Sequence, residues 1–152
     1  MATKILNNVH IENRRAKFDY QFLEKLVAGM VLTGTEIKSI REGKAALVDS
    51  YCYFRNGELY IKNLNITPYS EGTHYNHEPN RERKLLLTKA EIRRLDKKLK
   101  DQGLTIIPVK LFISESGYAK LEIALAKGKK EFDKRESIKK RDTEKEIARK
   151  IK

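Results

Sequence analysis

The sequence predicts a mainly β domain with flanking helices and a basic C-terminal tail. Two turn signals, Asn56-Gly57 and Ser116-Gly117, each separate apolar segments of strand length, as expected for antiparallel hairpins. A length of 152 residues with 39% hydrophobic residues suits one domain with a modest core. Half of the formal net charge of +12 lies in residues 127–152, which contain few apolar side chains. We therefore predict a folded body at residues 1–127 and a disordered tail at 128–152.

The first predicted elements are a helix over residues 19–29 and a strand over residues 30–41. Asp19 would cap the helix, and Gly29 suits its C-terminal end. The apolar stripe of this helix would consist of Phe22, Leu23, Leu26 and Val27. Residues 30–41 are rich in β-branched types and contain Gly34, where a strand would bend.

The segment 51–64 is predicted to form a hairpin around Asn56-Gly57, because a type I′ turn needs positive φ at both residues. A two-residue loop places Arg55 opposite Glu58 and continues that register along both strands. One face, predicted to lie in the core, then carries Cys52, Phe54, Leu59 and Ile61. The other face carries Tyr51, Tyr53 and Tyr60, which would either stack on bases or pack against one another across the strands, the commoner use.

A second helix and a second hairpin follow. Thr88 and Glu91 have capping-box spacing, so the helix should begin at Lys89. Its buried stripe would be Ile92, Leu95 and Leu99, and Gly103 would close it. In the hairpin, Pro108 places its strand at an edge or at a bulge, and Lys110 and Lys120 fall on the outward face. Short antiparallel strands with inserted helices predict a small β-barrel of the oligonucleotide-binding type.

Composition and motifs favour a binding protein with a negatively charged partner. Lys and Arg number 33 against 21 Asp and Glu, which favours such a partner. The longest uncharged stretch, 26–35, is shorter than the roughly 18 residues of a membrane span, and no signal-peptide pattern is present, so we expect a cytoplasmic protein. Cys52 is the single cysteine, and His74 and His77 lie in a loop, so we expect no metal site and no cofactor. No nucleotide-binding or hydrolase motif is present.

Three basic clusters carry the functional signal. They are residues 13–17, residues 81–84 and residues 127–130, and each flanks a predicted element. On a closed barrel their side chains would follow a folded nucleic acid. A lysine-rich face is usually only solvated surface, so any single cluster is weak evidence for nucleic-acid binding. The high net positive charge of the whole chain strengthens that evidence.

Four segments of the chain resemble a known family in order and spacing. They are NRRAKFDY, AGMVLTGTEIKSIREGKAALVDSY, ITPYSEGTHYNHEPNRERKLLLTKAEI and ALAKGKKEFDKRESIKKRD, and they are similar to the small protein B family, the SsrA-binding proteins of bacterial trans-translation. The resemblance implies an oligonucleotide-binding-type barrel with flanking helices, and we expect the protein to be a monomer. The resemblance also implies binding to the tRNA-like domain of tmRNA, delivery to stalled ribosomes, and no catalysis. The tail would occupy the empty decoding site and the mRNA channel.

The resemblance implies two groups of site residues. The RNA-binding positions are Asn13, Arg14, Arg15, Lys38, Leu86, Lys120, Lys127, Lys129 and Lys130. The ribosome-facing tail positions are Phe132, Asp133, Lys134, Arg135, Lys139, Lys140 and Arg141. Structural roles are open for three of them: Leu86 as core, Asn13 as a cap or turn residue, and Asp133 as a helix cap.

The sequence departs from the family pattern at two positions. Val27 stands where family members often carry glutamate, so an acidic contact there is not transferred. Phe132 stands where many carry histidine, and its ring keeps a stacking role but no hydrogen bond. Two other classes remain open: a ribosomal or structural RNA-binding protein that does not require tmRNA, and a metal-dependent nuclease.

Overall fold

The computed structural model describes residues 9–72, 76–100, 103–129, 135 and 138. In chain order the elements are β1 (His10–Glu12), α1 (Arg14–Asp19), β2 (Tyr20–Met30), α2 (Gly34–Arg41), β3 (Ala45–Ala46), β4 (Tyr51–Arg55), β5 (Glu58–Lys62), β6 (Asn65–Ile66), β7 (Arg83–Leu86), α3 (Lys89–Lys98), β8 (Leu104–Ile113) and β9 (Ala119–Gly128). None of the helices in this part of the chain is long and apolar enough to cross a membrane.

The main sheet closes on itself. Its antiparallel strands follow the order β1-β8-β4-β5-β7-β2-β9, and β8 pairs with β9 as well. The β8–β9 pairing closes the ring and leaves β1, which pairs only with β8, outside it. The closed sheet encloses a core that includes the fully buried Leu59, Ile61, Leu111 and Leu121. A separate two-stranded ladder joins β3 to β6. The prediction of a small, mainly β barrel with flanking helices is confirmed.

The predicted first helix is wrong, because this segment is the long strand β2. It pairs with β9 from Tyr20 opposite Gly128 to Gly29 opposite Lys120, with a bulge after Phe22. Exposure alternates along β2 with the period of a strand. The ladder with β9 is a long-range interaction, and it outweighs the local pattern that resembled a helical stripe.

The predicted strand over residues 30–41 is wrong as well, because its last eight residues form α2. Thr33 caps this helix and Glu36 completes a capping box with it, while Gly34 is the first helical residue and not a strand bend. Ile40 faces the core and is fully buried. The Thr33-x-x-Glu36 spacing is the same signal as Thr88-x-x-Glu91, so the sequence did contain the information for this helix.

The hairpin of β4 and β5 has the predicted register, from Arg55 opposite Glu58 to Tyr51 opposite Lys62. Asn56 and Gly57 have φ values of 51° and 75°, as a type I′ turn requires. Tyr51, Tyr53 and Tyr60 share the outward face, with neighbouring ring centroids 6.1 and 6.2 Å apart. The rings therefore pack against one another, whereas base stacking there stays a prediction.

The second half of the body also follows the prediction. Helix α3 begins at Lys89 with Thr88 and Glu91 in a capping box, and Leu95 is buried. Strands β8 and β9 form the second hairpin, with a bulge between Pro108 and Lys110. Gly103 has a φ of 81° immediately before β8, whereas α3 itself already ends at Lys98.

Candidate nucleic-acid interface

Asn13 connects α1 to the bulge of β8. Its side-chain oxygen accepts a hydrogen bond from the Ala16 N–H at 3.3 Å, and its Nδ2 donates to the Pro108 carbonyl at 2.9 Å. The residue is only 5% exposed, so the interpretation of Asn13 as a helix cap is confirmed. The cap positions the first helical residues, Arg14 and Arg15, whose side chains are exposed.

The NRRAK and AKGK segments meet at this helix. The Lys129 N–H donates to the Asp19 carbonyl at 2.9 Å, and Lys129 Nζ donates to the Lys17 carbonyl at 3.1 Å. Lys127 is exposed and lies opposite Gln21 on β2. We call the resulting set the α1–β9 basic cluster: Arg14, Arg15, Lys17, Lys127 and Lys129. Arg15 pairs with Asp19 at 3.2 Å but keeps 74% of its side chain exposed, so the pair leaves its charge accessible.

A second group of predicted site residues lies around Gly29. Strand β2 runs between β7 and β9, and its residue Gly29 lies opposite Leu86 of β7 on one side and Lys120 of β9 on the other. A Cβ at Gly29 would lie 3.4 Å from the Leu86 Cβ and 3.7 Å from Lys120 Nζ, so the absence of a side chain leaves open space between them. Leu86 is 49% exposed, and its interpretation as a core residue is therefore wrong. These residues border an open cleft, which we call the barrel-end cleft.

The two groups lie at opposite ends of the β2–β9 ladder. Lys120 and Lys127 are seven positions apart on one strand, which corresponds to about 23 Å at a rise of about 3.3 Å per residue. Lys38 is exposed on α2, the helix whose Ile37 and Arg41 border the barrel-end cleft. Its Nζ lies 5.5 Å from the centroid of the Tyr69 ring.

The basic cluster at residues 81–84 has a structural role that the sequence did not reveal. Arg83 is fully buried; it pairs with the equally buried Glu36 and donates to the Leu64 carbonyl at 2.6 Å. Arg81 Nη2 lies 2.6 Å from Glu36 Oε1, and Lys84 pairs with Glu58 at 2.9 Å. The prediction that this cluster follows a nucleic acid is therefore wrong for Arg83, whose charge is used inside the fold.

The carboxyl group of Glu36 is held ionised in this network. Burial by itself would raise its pKa, but hydrogen bonds from Arg81, from the Thr33 N–H and from Arg83 lower the pKa to about 2. Glu36 thus anchors α2 both to the start of β7, through Arg83, and to the segment before it, through Arg81.

His77, one of the two histidines considered for a metal, is engaged in the fold. Its Nε2 lies 2.8 Å from the Ile66 carbonyl, which can only accept, so Nε2 carries the proton and donates. Nδ1 lies 2.9 Å from the Thr35 hydroxyl oxygen and forms a hydrogen bond with it. His74 lies outside the described residues. Within the described ranges, no group of three or more His, Cys, Asp or Glu side chains could hold a metal ion.

Most predicted tail positions lie outside the described residues. They are Phe132, Asp133, Lys134, Lys139, Lys140 and Arg141, and the predicted RNA-binding residue Lys130 also lies outside. Arg135 is described and exposed. The division into body and tail at residue 128 stays a prediction.

Known proteins match almost the whole chain. The family model described as SmpB protein matches residues 10–152. The SsrA-binding protein of Cytophaga hutchinsonii is 58% identical over 150 residues, covering 98% of each chain. That of Phocaeicola vulgatus is 58% identical over 144 residues, covering 95% of this chain and 96% of the relative. That of Streptococcus mutans is 48% identical over 149 residues, covering 98% and 96%.

A solved structure agrees with the fold as well. It is reported as "tmRNA-SmpB: a journey to the center of the bacterial ribosome" and is 50% identical to this chain, with a TM-score of 0.68. The match covers 81% of this chain and 86% of the solved one.

Proposed function

The chain belongs to the SmpB protein family, and from that premise we propose that it binds the tRNA-like domain of tmRNA, the SsrA RNA, and delivers it to stalled ribosomes for trans-translation. The barrel holds the tRNA-like domain, and the basic tail occupies the empty decoding site and the mRNA channel. The protein acts in the cytoplasm, where the ribosomes are, and catalyses no chemical step. The names of its relatives and of the solved structure support this proposal.

The observation that carries the proposal is the α1–β9 basic cluster. It brings together two sequence motifs 112 residues apart, through the hydrogen bond from Lys129 Nζ to the Lys17 carbonyl. Cations concentrated in this way neutralise consecutive phosphates and release their counterions, which is the main source of affinity for a nucleic acid.

The distance between the α1–β9 basic cluster and the barrel-end cleft supports a folded RNA as the partner. A small anion would occupy one of the two areas, whereas a folded RNA reaches both across about 23 Å of β9. Each area contains residues that the family resemblance assigns to RNA contact: Lys127 and Lys129 at one end, and Leu86 and Lys120 at the other.

The identity of the RNA is tested by capture. Full-length protein is isolated from its host under low salt, and the bound RNA is sequenced. We expect one tRNA-like species to be strongly enriched. Stoichiometric recovery of ribosomes without that species would contradict the proposal and favour a ribosomal protein. Cleavage of RNA by the pure protein with magnesium would favour the nuclease.

The contact surface is tested by the salt dependence of binding to tmRNA. Replacement of Lys127, Lys129 and Lys130 by alanine should flatten the slope of log K against log salt by up to about 0.9 for each lost phosphate contact. The matched control replaces three exposed basic residues of α3, namely Lys89, Arg93 and Lys97. It removes the same charge elsewhere and should leave the slope almost unchanged. Equal slopes in both variants would exclude the basic cluster from the interface.

A further inference from the structure

Lys38 is a predicted RNA-binding residue whose charge no described carboxylate neutralises. It is exposed on α2, and its ammonium makes no ion pair and no hydrogen bond with the described residues. Glu42 lies one helical turn further on and would be its usual partner, but Glu42 pairs with Lys44 at 3.0 Å. By contrast, Lys84 and Lys98 each pair with a glutamate, at 2.9 and 2.8 Å. The full positive charge of Lys38 is therefore available to a phosphate.

The ring of Tyr69 holds this ammonium instead. Lys38 Nζ lies 5.5 Å from the ring centroid, within the distance of a cation–π interaction. The Tyr69 hydroxyl donates to the Glu71 carboxylate at 3.4 Å, and the negative charge of Glu71 raises the pKa of Tyr69. The ring is therefore a neutral phenol at neutral pH. A neutral ring orients the ammonium and leaves its charge in place, whereas a carboxylate would cancel that charge.

The side chain of Asn76 fixes the backbone of Tyr69. Its Nδ2 donates to the Tyr69 carbonyl at 2.8 Å, and its Oδ1 accepts from the Tyr69 N–H at 3.1 Å. The two bonds satisfy both backbone polar groups of Tyr69. Gly72 makes room for this arrangement, because a Cβ there would lie 2.5 Å from Asn76 Nδ2 and 3.1 Å from the Tyr69 carbonyl oxygen. An asparagine and a glycine thus hold this one tyrosine in place.

The position of Tyr69 relative to α2 is fixed on both sides of it in the chain. Before it, the Thr67 N–H donates to the Lys44 carbonyl, shortly after the end of α2, at 3.1 Å. After it, His77 Nδ1 lies 2.9 Å from the hydroxyl oxygen of Thr35, at the start of α2. The ring and the helix are therefore connected at both ends of the helix.

We propose that Tyr69 is a positioning residue for RNA binding, which holds the Lys38 ammonium on its ring in the orientation that contacts an RNA phosphate. This inference rests on the proposed function, and it assigns Tyr69 no RNA contact of its own. A free lysine side chain has many rotamers, and ordering it on binding costs conformational entropy. The ring orders the side chain before the RNA arrives, so affinity rises without a new contact.

The affinity of full-length variants for tmRNA, measured by titration, tests the role in binding. Tyr69→Leu should weaken binding about 2- to 5-fold, as expected for loss of an exposed cation–π interaction. Tyr69→Phe keeps the ring and should bind as the unaltered protein does. In a Lys38→Gln background, Tyr69→Leu should have no further effect, because the ring then has no ammonium to hold. Thermal unfolding establishes that each variant folds.

NMR of the free full-length protein tests the contact itself. Protons above the face of an aromatic ring resonate upfield of their usual position, and the Lys38→Gln variant assigns the resonances of Lys38. We expect its ε-methylene protons to be shifted upfield in the unaltered protein and in Tyr69→Phe, and to return to their usual position in Tyr69→Leu. Unshifted Lys38 resonances in the unaltered protein would overturn the inference.

Three results of the titrations would overturn it as well. Unchanged affinity in Tyr69→Leu would show that the ring does not assist binding. An equal loss with and without Lys38 would show that Tyr69 acts directly on the RNA or on the fold, and an equal loss in Tyr69→Phe would assign the effect to the hydroxyl.

The Lys38→Gln variant and the unaltered protein separate this inference from the proposed function. If Lys38→Gln binds tmRNA as tightly as the unaltered protein does, Lys38 is no RNA contact and the inference is wrong, while the proposed function stands. If the unaltered protein does not bind tmRNA at all, the proposed function fails and this inference fails with it.

Discussion

Removing the negative charge of Glu36 should destabilise the barrel strongly. In Glu36→Gln the side chain keeps its size and one acceptor oxygen, but Arg83 loses its charged partner. Both side chains are fully buried, and the guanidinium would then rely on neutral acceptors, the carbonyls of Leu64, Glu78 and Pro79. Breaking a buried pair in this way typically costs about 3–5 kcal/mol, because one charge stays buried without compensation.

The lowered pKa of Glu36 gives a second value for the stability that its negative charge contributes. Its pKa is lowered from 4.5 to about 2 in the folded state, which corresponds to about 3 kcal/mol of stability. Because the folded-state pKa is the lower one, this contribution is present above pH 4.5. It is lost progressively as the pH falls toward 2.

The assay is thermal unfolding followed by circular dichroism between pH 2 and 7. At pH 7, Glu36→Gln should unfold about 12–20 °C below the unaltered protein, at about 4 °C per kcal/mol for a chain of this size. The difference should narrow as the pH falls from 4.5 to 2, because the unaltered protein then loses the same charge.

Glu91→Gln is the matched control. Glu91 occupies the same capping-box position on α3 and bonds to Thr88, but on an exposed helix end. Its loss should cost no more than about 1 kcal/mol. If Glu36→Gln and Glu91→Gln unfold within a few degrees of each other at pH 7, the buried Glu36–Arg83 ion pair does not stabilise the fold as argued.

Three further predictions concern the turn, the cap and the tail. Gly57→Val should lower the free energy of unfolding by about 1 kcal/mol or more, because φ is 75° at this position. The control in urea unfolding is Gly34→Ala, at an open helix start, and equal stabilities of the two variants would contradict the argument from backbone strain. Asn13→Ala should lower the free energy of unfolding by about 1–2 kcal/mol through loss of the cap, and an unchanged urea midpoint would exclude that role. A chain cut after Lys130 should keep tmRNA affinity in titrations but lose peptide tagging in a reconstituted translation system, and retained tagging would refute the division into body and tail.

Local signals in the sequence were sufficient where the structure depends on adjacent residues. Asn56-Gly57 fixed both the turn and the register of β4 and β5, because few residues tolerate two consecutive positive φ values. Thr88 and Glu91 located the start of α3 for a similar reason, since a capping box involves only four residues. The family itself could also be recognised from motifs along the chain.

The sequence was insufficient where a distant strand determines the conformation. The segment 20–30 has apolar spacing that suits a helix, yet it forms β2 because β9 supplies a long ladder of hydrogen bonds. The basic cluster at residues 81–84 shows that the sequence is equally insufficient for deciding which charged side chains are exposed. Composition cannot distinguish a solvated arginine from Arg83, which is buried beside Glu36, 47 residues away.

By itself, the sequence determined the turns, both hairpins, one of the three helices in the described part of the chain, and the family. At Pro108 it left an edge and a bulge as alternatives, and the structure shows a bulge. The tertiary structure alone decided which basic residues are available to a partner. Closure of the barrel buried Arg83 and joined Lys17 to Lys129. It also placed Leu86, Gly29 and Lys120 side by side on three strands. The physical reason is that strand pairing brings together residues far apart in the chain, whereas local patterns report only on neighbours.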